Sequence, residues 1–584
     1  MKPRPAAIAG HTCLLIGLLD IATAVSPQVR ASRIERMAPY VPGLSEDVTG
    51  AAALVAGVLL VLLARGLRRR KRRAWEAAVA LLAVSALVQS LRHHAFVAAA
   101  VSALLCAGLV WLRGEFHALS DPRGRTRALG NLLLLGTVSV GLGLLIVGVR
   151  AEHEAGRGIS FTDRFQQVAS GLVGMEGPLA YDGEGVGDAV QASLLALGLL
   201  TASTTVYLAL RPVRLAPADG GARLRALLVR EGRRDSLGYF ALRADKAVLF
   251  SATGKAAVAY RVVSGVALVG GDPVGDPEAW PGAIKEFLEQ CARHAWTPAV
   301  MGCSELGAQI WMREGGLKVL ELGDEAIVDC ADFSLAGRTM RNVRQMVNRI
   351  ERSGYSCQVR RMRELTDEEK LQLRQAAATW RGSATERGFS MALGRFGDPA
   401  DGDCVVVTAH QRVADGTRHV RALLHFVPWG EDGLSLDLMR RDRTAEPGLN
   451  ELLIVAALRA APGLGIGRIS LNFAVFRAAL AGGERIGAGP VLRGWRGLLV
   501  FLSRWFQIES LYRFNAKFRP QWQPRFVVYP TARDLPRISW ACLQAEAFVV
   551  LPHPADRLRQ WAGNHSTAAQ REPATSAVGA GTNA

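Results

Sequence analysis

An aspartate and an arginine stand three residues apart at the end of an apolar segment. The stretch "LSLDLMRRD", residues 434–442, alternates leucines as a half-buried strand does, and it then carries Asp437 and Arg440. Strand residues three apart point to opposite faces, so the two side chains can meet only where the strand ends at a cleft. There a carboxylate can accept a proton or bind an ammonium group, and an arginine can hold a phosphate. The alternative is a surface salt bridge, which would contribute little.

Two other charged residues are candidates for the same chemistry. Glu386 in "ERGFSM" is a second carboxylate, although it could also be a solvated charge before a glycine turn. Lys517 in "FNAKFRP" could neutralise a phosphate, or its stem could simply lie along the neighbouring aromatic residues. The eight cysteines form no C-x-x-C pair and no zinc spacing, so the sequence predicts reduced thiols, no metal site and a cytosolic soluble part.

The loop after this segment argues against coenzyme A as the acyl donor. An acetyltransferase would place a glycine-rich loop here, whose backbone N–H groups bind the pyrophosphate. The actual loop, "RRDRTAEPGLNEL", has one glycine, one proline and several acids. The sequence therefore predicts an acyl carrier other than coenzyme A.

The elements around these residues predict a mixed α/β fold. From about residue 223, short strands alternate with amphipathic helices in two units, 223–335 and 336–545. They resemble an acetyltransferase fold used twice, with the active site in the second unit. The tail, residues 560–584, has too few apolar residues to pack and is expected to be disordered.

The N-terminal part, residues 1–210, is predicted to be a membrane domain. Hydrophobic residues make up 49% of the chain, yet its formal net charge is +18, which indicates a membrane part joined to a basic part that faces a phospholipid surface, RNA or both. Six apolar runs approach the length that a bilayer requires. They lie at about 6–25, 50–67, 74–91, 95–112, 129–149 and 188–210.

The loops between these runs predict the orientation. The stretch 65–73, "RGLRRRKRR", and the loop 113–128 are basic, whereas the loop 150–187 is acidic. The positive-inside bias then places both termini and residues 211–584 in the cytoplasm. A cleavable signal peptide is the alternative for the first run, but Asp20 interrupts it. The pair His93–His94 falls in a short outer turn, and no run carries a mid-depth charged pair, so no residue supports transport.

Six motifs together resemble those of a known family. They are "GGDPVGD", "GDEAIVD", "DFSLAGRTMRNVRQMVNRIERSG", "ERGFSM", "LDLMRR" and "FNAKFRPQWQPRFVVYP", within about 223–532. In this order they are similar to the phosphatidylglycerol aminoacyltransferases, the lysyl- and alanyl-phosphatidylglycerol synthases of the multiple peptide resistance factor type. The resemblance implies a tandem acetyltransferase-like (GNAT-type) domain behind an α-helical membrane domain. It implies transfer from aminoacyl-tRNA to a phosphatidylglycerol hydroxyl at the cytoplasmic leaflet, without a further cofactor.

The same resemblance implies the residues of the site. The expected catalytic residues are Asp437, Arg440 and Glu386. The expected substrate-binding residues are Lys517, Arg441, Phe389, Asn472 and Arg477. Two basic stretches, 338–353 and 493–514, are expected to contact lipid or tRNA phosphates. Their candidates are Arg341, Arg344, Arg496 and Arg504.

Departures from the family leave lipid flipping and the transferred amino acid open, and further alternatives stand beside them. The larger members have more spans, so lipid flipping is open. The segment "LNFAVFR", 471–477, resembles the actinobacterial branch. This leaves open which amino acid is transferred, with lysine expected. The acceptor could instead be another lipid or a peptide, or the chain could be a lipid transporter or scaffold with an inactive acyltransferase unit. The sequence does not decide whether a homo-oligomer forms.

The orientation can be tested with reporters. A reporter fused after residue 211 should be active only in the cytoplasm, and one inserted near Gly174 only outside, because the basic loops keep to the cytoplasmic side. Enzymatic reporters specific for each compartment make the measurement. The reverse pattern would overturn the orientation and would remove access to tRNA.

Overall fold

The computed structural model describes most of the chain in two compact units. The described residues are 5–25, 47–68, 70–90, 96–116, 118, 122–154, 160–175, 177–179, 184–209, 220–381, 386, 388–412, 416–475 and 508–549. One unit comprises 1–218, 247–267 and 278–298, and the other 219–246, 268–277 and 299–584. The pair His93–His94, the candidates Arg477, Arg496 and Arg504, and the tail lie outside the described residues.

Seven helices are described in the N-terminal region. They are α1 Pro5–Val25, α2 Asp47–Arg68, α3 Arg72–Ser90, α4 Phe96–Trp111, α5 Pro122–Glu154, α6 Phe161–Leu172 and α7 Glu184–Ala209. All but α6 coincide with the predicted apolar runs. Helix α6 falls in the predicted outer loop, and Ser160 caps it by accepting a hydrogen bond from the backbone N–H of Thr162.

The described helices do not confirm six membrane spans. Only Thr126–Val149 and Val186–Ala209 are long and apolar enough to cross a bilayer within the part of the chain that the structure describes. The apolar helices Ile8–Leu18 and Ala100–Trp111 are shorter. The two long helices share hydrogen bonds, for example between Ser139 Oγ and Thr201 Oγ1 at 2.9 Å. Such bonds satisfy hydroxyl groups that would find no hydrogen-bond partner among lipid tails.

The two basic loops lie at one end of these helices. Lys71 and Ala118 pair as an isolated parallel bridge. Arg70 also forms a 2.9 Å ion pair with Glu115. The described parts of both loops therefore share one side, as the orientation predicted from their charge requires.

The first unit also contains a small α/β element. Strands β1 Ala247–Phe250 and β2 Ala256–Val263 form an antiparallel hairpin, and helix α9 Trp280–His294 packs against it. Tyr260 meets Phe287 edge to face, with ring centroids 5.3 Å apart. The contact between these two buried rings holds the helix against the hairpin.

The second unit is built on one sheet. Its strands lie in the order β3-β5-β12-β6-β11-β10-β9-β8-β7. Their bounds, with those of the two-residue β4, are β3 Val266–Gly270, β4 Val274–Gly275, β5 Thr297–Cys303, β6 Lys318–Asp329, β7 Tyr355–Arg361, β8 Val405–Arg412, β9 Arg418–Trp429, β10 Gly433–Arg441, β11 Arg468–Val475 and β12 Gln521–Tyr529. Strand β12 lies between β5 and β6, so the units predicted at 223–335 and 336–545 share this sheet.

Amphipathic helices accompany the sheet because their apolar stripes need a partner. They are α8 Gly221–Glu231, α10 Glu305–Gly315, α11 Arg341–Arg352, α12 Asp367–Arg381, α13 Leu449–Ala460, α14 Ile508–Ala516 and α15 Leu535–Ala545. Helix α11 buries Val343, Val347 and Ile350 at three- and four-residue steps in the main core. Helix α13 buries residues on most of its surface and packs between α11 and strands β7 to β10. These helices support the end of the sheet at which strands β10 and β11 terminate.

A buried ionic cluster joins strands β6, β11 and β12 to the segment that carries Asp235. Arg525 on β12 donates to Glu325 Oε2 on β6 at 2.8 Å and to Asp235 Oδ1 at 2.7 Å. Ser470 on β11 donates to the other oxygen of Glu325. Arg525 and Glu325 are 3% and 0% exposed. If either residue is removed, water cannot take its place beside the other. Close by, Asp272 accepts hydrogen bonds from the backbone N–H and the hydroxyl of Ser304.

Removing the arginine should destabilise the chain strongly. Arg525→Met leaves the carboxylates of Glu325 and Asp235 buried without a cation, at a cost of about 3–5 kcal/mol in the free energy of unfolding. The measurement is the apparent melting temperature of the purified full chain in detergent. Arg233→Met is the control, because Arg233 pairs with Asp432 at an exposed position. Equal melting temperatures for the two variants would contradict this account of the cluster.

Candidate active site

Strands β10 and β11 separate in the middle of the sheet. They pair in parallel from Gly433↔Arg468 to Ser435↔Ser470, and beyond that point they no longer pair. At the same level β10 shifts its register against β9 between Leu436 and Leu438, which leaves Asp437 as the extra residue of a bulge. Bulges of this kind redirect a side chain and end pairing. A wedge therefore opens beside Asp437.

Asn472 holds the other side of the wedge. Its backbone adopts φ 69°, the left-handed region that asparagine tolerates better than most residues. Its side-chain Nδ2 donates to the Leu436 carbonyl at 2.6 Å, which the bulge has freed from the ladder. Its backbone N–H donates to Ser470 Oγ. The predicted substrate-binding Asn472 thus lies at the site, and its amide group positions the strand that carries Asp437.

Asp437 pairs with a histidine and not with Arg440. Its Oδ1 accepts a 2.6 Å hydrogen bond from the Leu393 backbone N–H, and its Oδ2 lies 2.7 Å from Nδ1 of His425. The side chains of Asp437 and His425 are 5% and 1% exposed. Asp437 therefore does not form the salt bridge with Arg440 that was the alternative to a site role, because the bulge turns the carboxylate towards β9.

Arg440 lies at the edge of the same region. It is half-buried, and its Nη1 donates to the Met439 carbonyl at 3.3 Å. Burial lowers the pKa of Arg440, while the nearby negative charges of Glu386 and Asp437 oppose that shift. Glu386 itself is exposed and lies 3.3 Å from Arg381. The predicted residues Arg440 and Glu386 thus come together, and the guanidinium forms no ion pair within the described chain.

Lys517 is held by an acid at the start of a helix. Its Nζ lies 2.8 Å from Glu451 Oε1, in the first turn of α13. Gly448 precedes that helix with φ 111°, and an added Cβ there would come 2.4 Å from Met346 Sδ. An acetyltransferase would bind the pyrophosphate at this helix end, but a carboxylate there repels phosphate. The residues therefore fit coenzyme A poorly, as the loop composition indicates.

Phe389 is a packing residue. It has no exposed surface, and Lys246 Nζ lies 4.5 Å from the centre of its ring. The backbone N–H groups of Phe389 and Ser390 donate to the two carboxylate oxygens of Glu546 at 2.7 and 3.1 Å. The predicted substrate contact at Phe389 does not fit this burial. Glu546 fixes the loop that begins at Gly388, and its position beyond the recognised motifs gave no sequence signal.

The other predicted arginines differ in what they contact. Arg441 Nη1 lies 3.5 Å from the Ala445 carbonyl in the loop after β10. Arg344 donates to the carbonyls of Leu335 and Gly337, so it closes the segment before α11. Arg341 is exposed in the first turn of the same helix. Of the two described contact candidates, Arg341 is exposed and Arg344 is half-buried.

Similarity to known proteins decides the family. Residues 225–529 match the family model described as phosphatidylglycerol lysyltransferase, C-terminal, and residues 3–151 match the transmembrane region of lysyl-tRNA synthetase. The chain belongs to the phosphatidylglycerol lysyltransferase family. It thus combines a transmembrane N-terminal region with a C-terminal acetyltransferase-like domain, and the predicted resemblance is confirmed.

Relatives of this lysyltransferase family cover the chain almost completely. The lysylphosphatidylglycerol biosynthesis bifunctional protein LysX of Mycobacterium sp. (strain JLS) is 41% identical over 596 residues, which are 97% of this chain and 52% of the relative. The protein of the same name from Rhodococcus jostii (strain RHA1) is 41% identical over 519 residues, 85% of this chain and 44% of the relative. The chain therefore spans about half the length of these curated relatives.

A solved structure shows the same fold. The structure of L-PGS from Bacillus licheniformis aligns with a TM-score of 0.50 at 22% identity, covering 58% of this chain and 99% of that one. At this identity the likeness concerns the fold of the lysyltransferase domain alone.

The backbone at Asn472 provides a stability test. Asn472→Gly and Asn472→Ala both remove the hydrogen bond to Leu436, but only alanine must be forced into the left-handed conformation. The alanine variant should be less stable than the glycine variant by about 1–2 kcal/mol. Thermal melting of both purified chains in detergent makes the comparison. An alanine variant as stable as the glycine variant would show that the backbone there relaxes without strain.

Proposed function

We propose that this chain transfers an amino acid, with lysine expected, from aminoacyl-tRNA to phosphatidylglycerol. The family match over residues 225–529 carries the proposal, because this stretch contains Asp437, Arg440 and Lys517. The relatives are named lysylphosphatidylglycerol biosynthesis bifunctional proteins, and these names support the same lipid product. The proposed enzyme is an aminoacyltransferase that modifies the charge of the membrane surface and so affects resistance to cationic peptides.

The proposed reaction exchanges one ester for another. The lipid glycerol hydroxyl forms a bond to the aminoacyl carbonyl carbon, and the bond from that carbon to the ribose oxygen of tRNA breaks. The hydroxyl proton ends on the ribose oxygen, so the balance needs neither a redox cofactor nor a nucleotide. The protein must place the hydroxyl against the carbonyl and accept the proton.

The charged groups at the wedge support specific roles in this reaction. Arg440 is half-buried with no ion-pair partner in the described chain, so its guanidinium suits the lipid phosphate. Glu386 lies on the same edge and suits the ammonium group of the aminoacyl residue. Lys517 keeps 44% of its side chain exposed beside Glu451 and suits a phosphate of tRNA. The carboxylate of Glu451 makes coenzyme A the less suitable carrier.

The proposed location is the cytoplasmic membrane with the lysyltransferase domain inside the cell. The shared side of the basic loops supports it, as do the two long apolar helices. Six spans and cytoplasmic termini belong to this proposal. Exposed Arg341 on α11, together with the net charge of +18, suits tRNA or anionic lipid as the partner.

Lipid analysis of a host that lacks aminoacylated lipids provides the test. Expression of the chain should produce lysylphosphatidylglycerol, and Asp437→Asn should lower its amount by roughly 100-fold or more, because the charge of the carboxylate beside the wedge is lost. The matched control is Asp442→Asn, which removes a carboxylate of an ion pair with Arg421 just beyond β10. If the host forms a different aminoacyl lipid, the amino acid or the acceptor in the proposal has to be replaced by the one found. No aminoacyl lipid from a folded chain would overturn the proposal.

A further inference from the structure

We infer that His425 is the proton acceptor of the transfer and that Asp437 positions it. This inference rests on the proposed function, since it concerns the group that takes the hydroxyl proton. The sequence directs attention to the aspartate, but the geometry directs it to the imidazole on β9.

The carboxylate of Asp437 is poorly placed to meet a substrate itself. Each of its oxygens already accepts one hydrogen bond, from the Leu393 backbone N–H and from His425 Nδ1, and 5% of the side chain is exposed. The Leu393 contact holds the loop that begins at Gly388 against β10. An anion fixed in this way orients a neighbour more readily than it moves a proton to and from a substrate.

One nitrogen of the imidazole is hydrogen-bonded to Asp437, and the other is available to accept a proton. An ionised carboxylate can only accept, so Nδ1 of His425 carries the hydrogen that Asp437 receives. In the neutral ring the lone pair is then on Nε2. This atom is buried and has no hydrogen-bond partner among the residues that the structure describes. A buried polar atom without a partner calls for an explanation, and catalysis is one.

Two more such atoms lie at the same place in the fold. Ser435 Oγ and Asn472 Oδ1 are also buried without a partner in the described chain. Ser435 closes the last pair of β10 with β11, and Asn472 bonds the Leu436 carbonyl one residue further on. Polar atoms left unpaired around the wedge suit a ligand that brings hydroxyl groups, as the glycerol headgroup does.

One side chain covers the imidazole. The ring of Phe396 meets that of His425 edge to face, with centroids 4.9 Å apart and planes at 81°. Gly394 and Gly397 flank this phenylalanine, with φ values of 73° and 82°. Phe396 thus packs against the imidazole, which is 1% exposed, and limits the access of water to it.

The inferred step is a single proton relay. As the glycerol oxygen attacks the aminoacyl carbonyl carbon, its proton passes to Nε2 of His425, and the resulting imidazolium is stabilised by the Asp437 carboxylate. When the bond to the ribose oxygen breaks, Nε2 returns that proton to the departing oxygen. Asp437 remains ionised throughout, and the histidine ends in its initial state.

The test compares two amides at position 425 in the full chain. His425→Asn places an amide N–H near Nδ1, where it can still donate to Asp437, but it lacks the acceptor at Nε2. Transfer from lysyl-tRNA to phosphatidylglycerol vesicles should fall by about 100-fold or more, mainly in kcat, with the melting temperature nearly kept. The residual rate should also lose the acid limb of the wild-type pH profile. His425→Gln, which lacks the donor to Asp437, should lose both activity and thermal stability.

A matched control separates this role from packing. His410→Asn changes a half-buried histidine on the neighbouring strand β8, whose Nε2 contacts Thr408 Oγ1, and it should leave turnover and the pH profile unchanged. Near-normal turnover in folded His425→Asn, or an unchanged acid limb in its residual rate, would overturn the inference while the proposed function stands. A wild-type chain that forms no aminoacyl lipid would instead overturn the proposed function.

Discussion

The contact between Arg525 and Glu325 is the constraint on which the geometry of the second unit depends. Both groups are buried, so each must keep its partner, and they lie on the adjacent strands β12 and β6. Ser470 binds the same carboxylate and thereby fixes β11 at the residue where its pairing with β10 ends. The wedge between β10 and β11 begins at this residue, and the bulge that carries Asp437 lies next to it.

The sequence predicted the position of the site better than its contacts. Alternating leucines correctly placed Asp437 and Arg440 on a strand that enters a core, since both residues lie on β10 and its Leu434 and Leu436 are buried. A bulge is invisible to a period-two pattern, so nothing in the sequence indicated that the carboxylate faces His425 on β9. His425 was missed because "ALLHFVPW" is typical of a buried strand, in which one histidine usually only packs. Its importance depends on register, which the sequence alone does not supply.

The fold was predicted at a similar level. Strand and helix alternation correctly indicated an acetyltransferase-like α/β domain, and the apolar runs coincide with helices. Hydropathy measures composition and not span length, so six runs were expected to cross the bilayer where two described helices are long and apolar enough. The insertion of β12 between β5 and β6 depends on non-local pairing, which no local pattern encodes.

That insertion has a consequence for how the chain reaches its native state during synthesis. Strands β5 and β6 are made about two hundred residues before β12. Strand β5 therefore leaves the ribosome with one edge unpaired, and β6, whose other neighbour β11 is also made later, leaves it with both edges unpaired. The centre of the sheet can close only when Tyr529 has emerged, so folding of the domain is completed late. Until then the apolar edges of β5 and β6 are open to wrong partners, and the nascent domain is a substrate for chaperones while its N-terminal helices already enter the membrane.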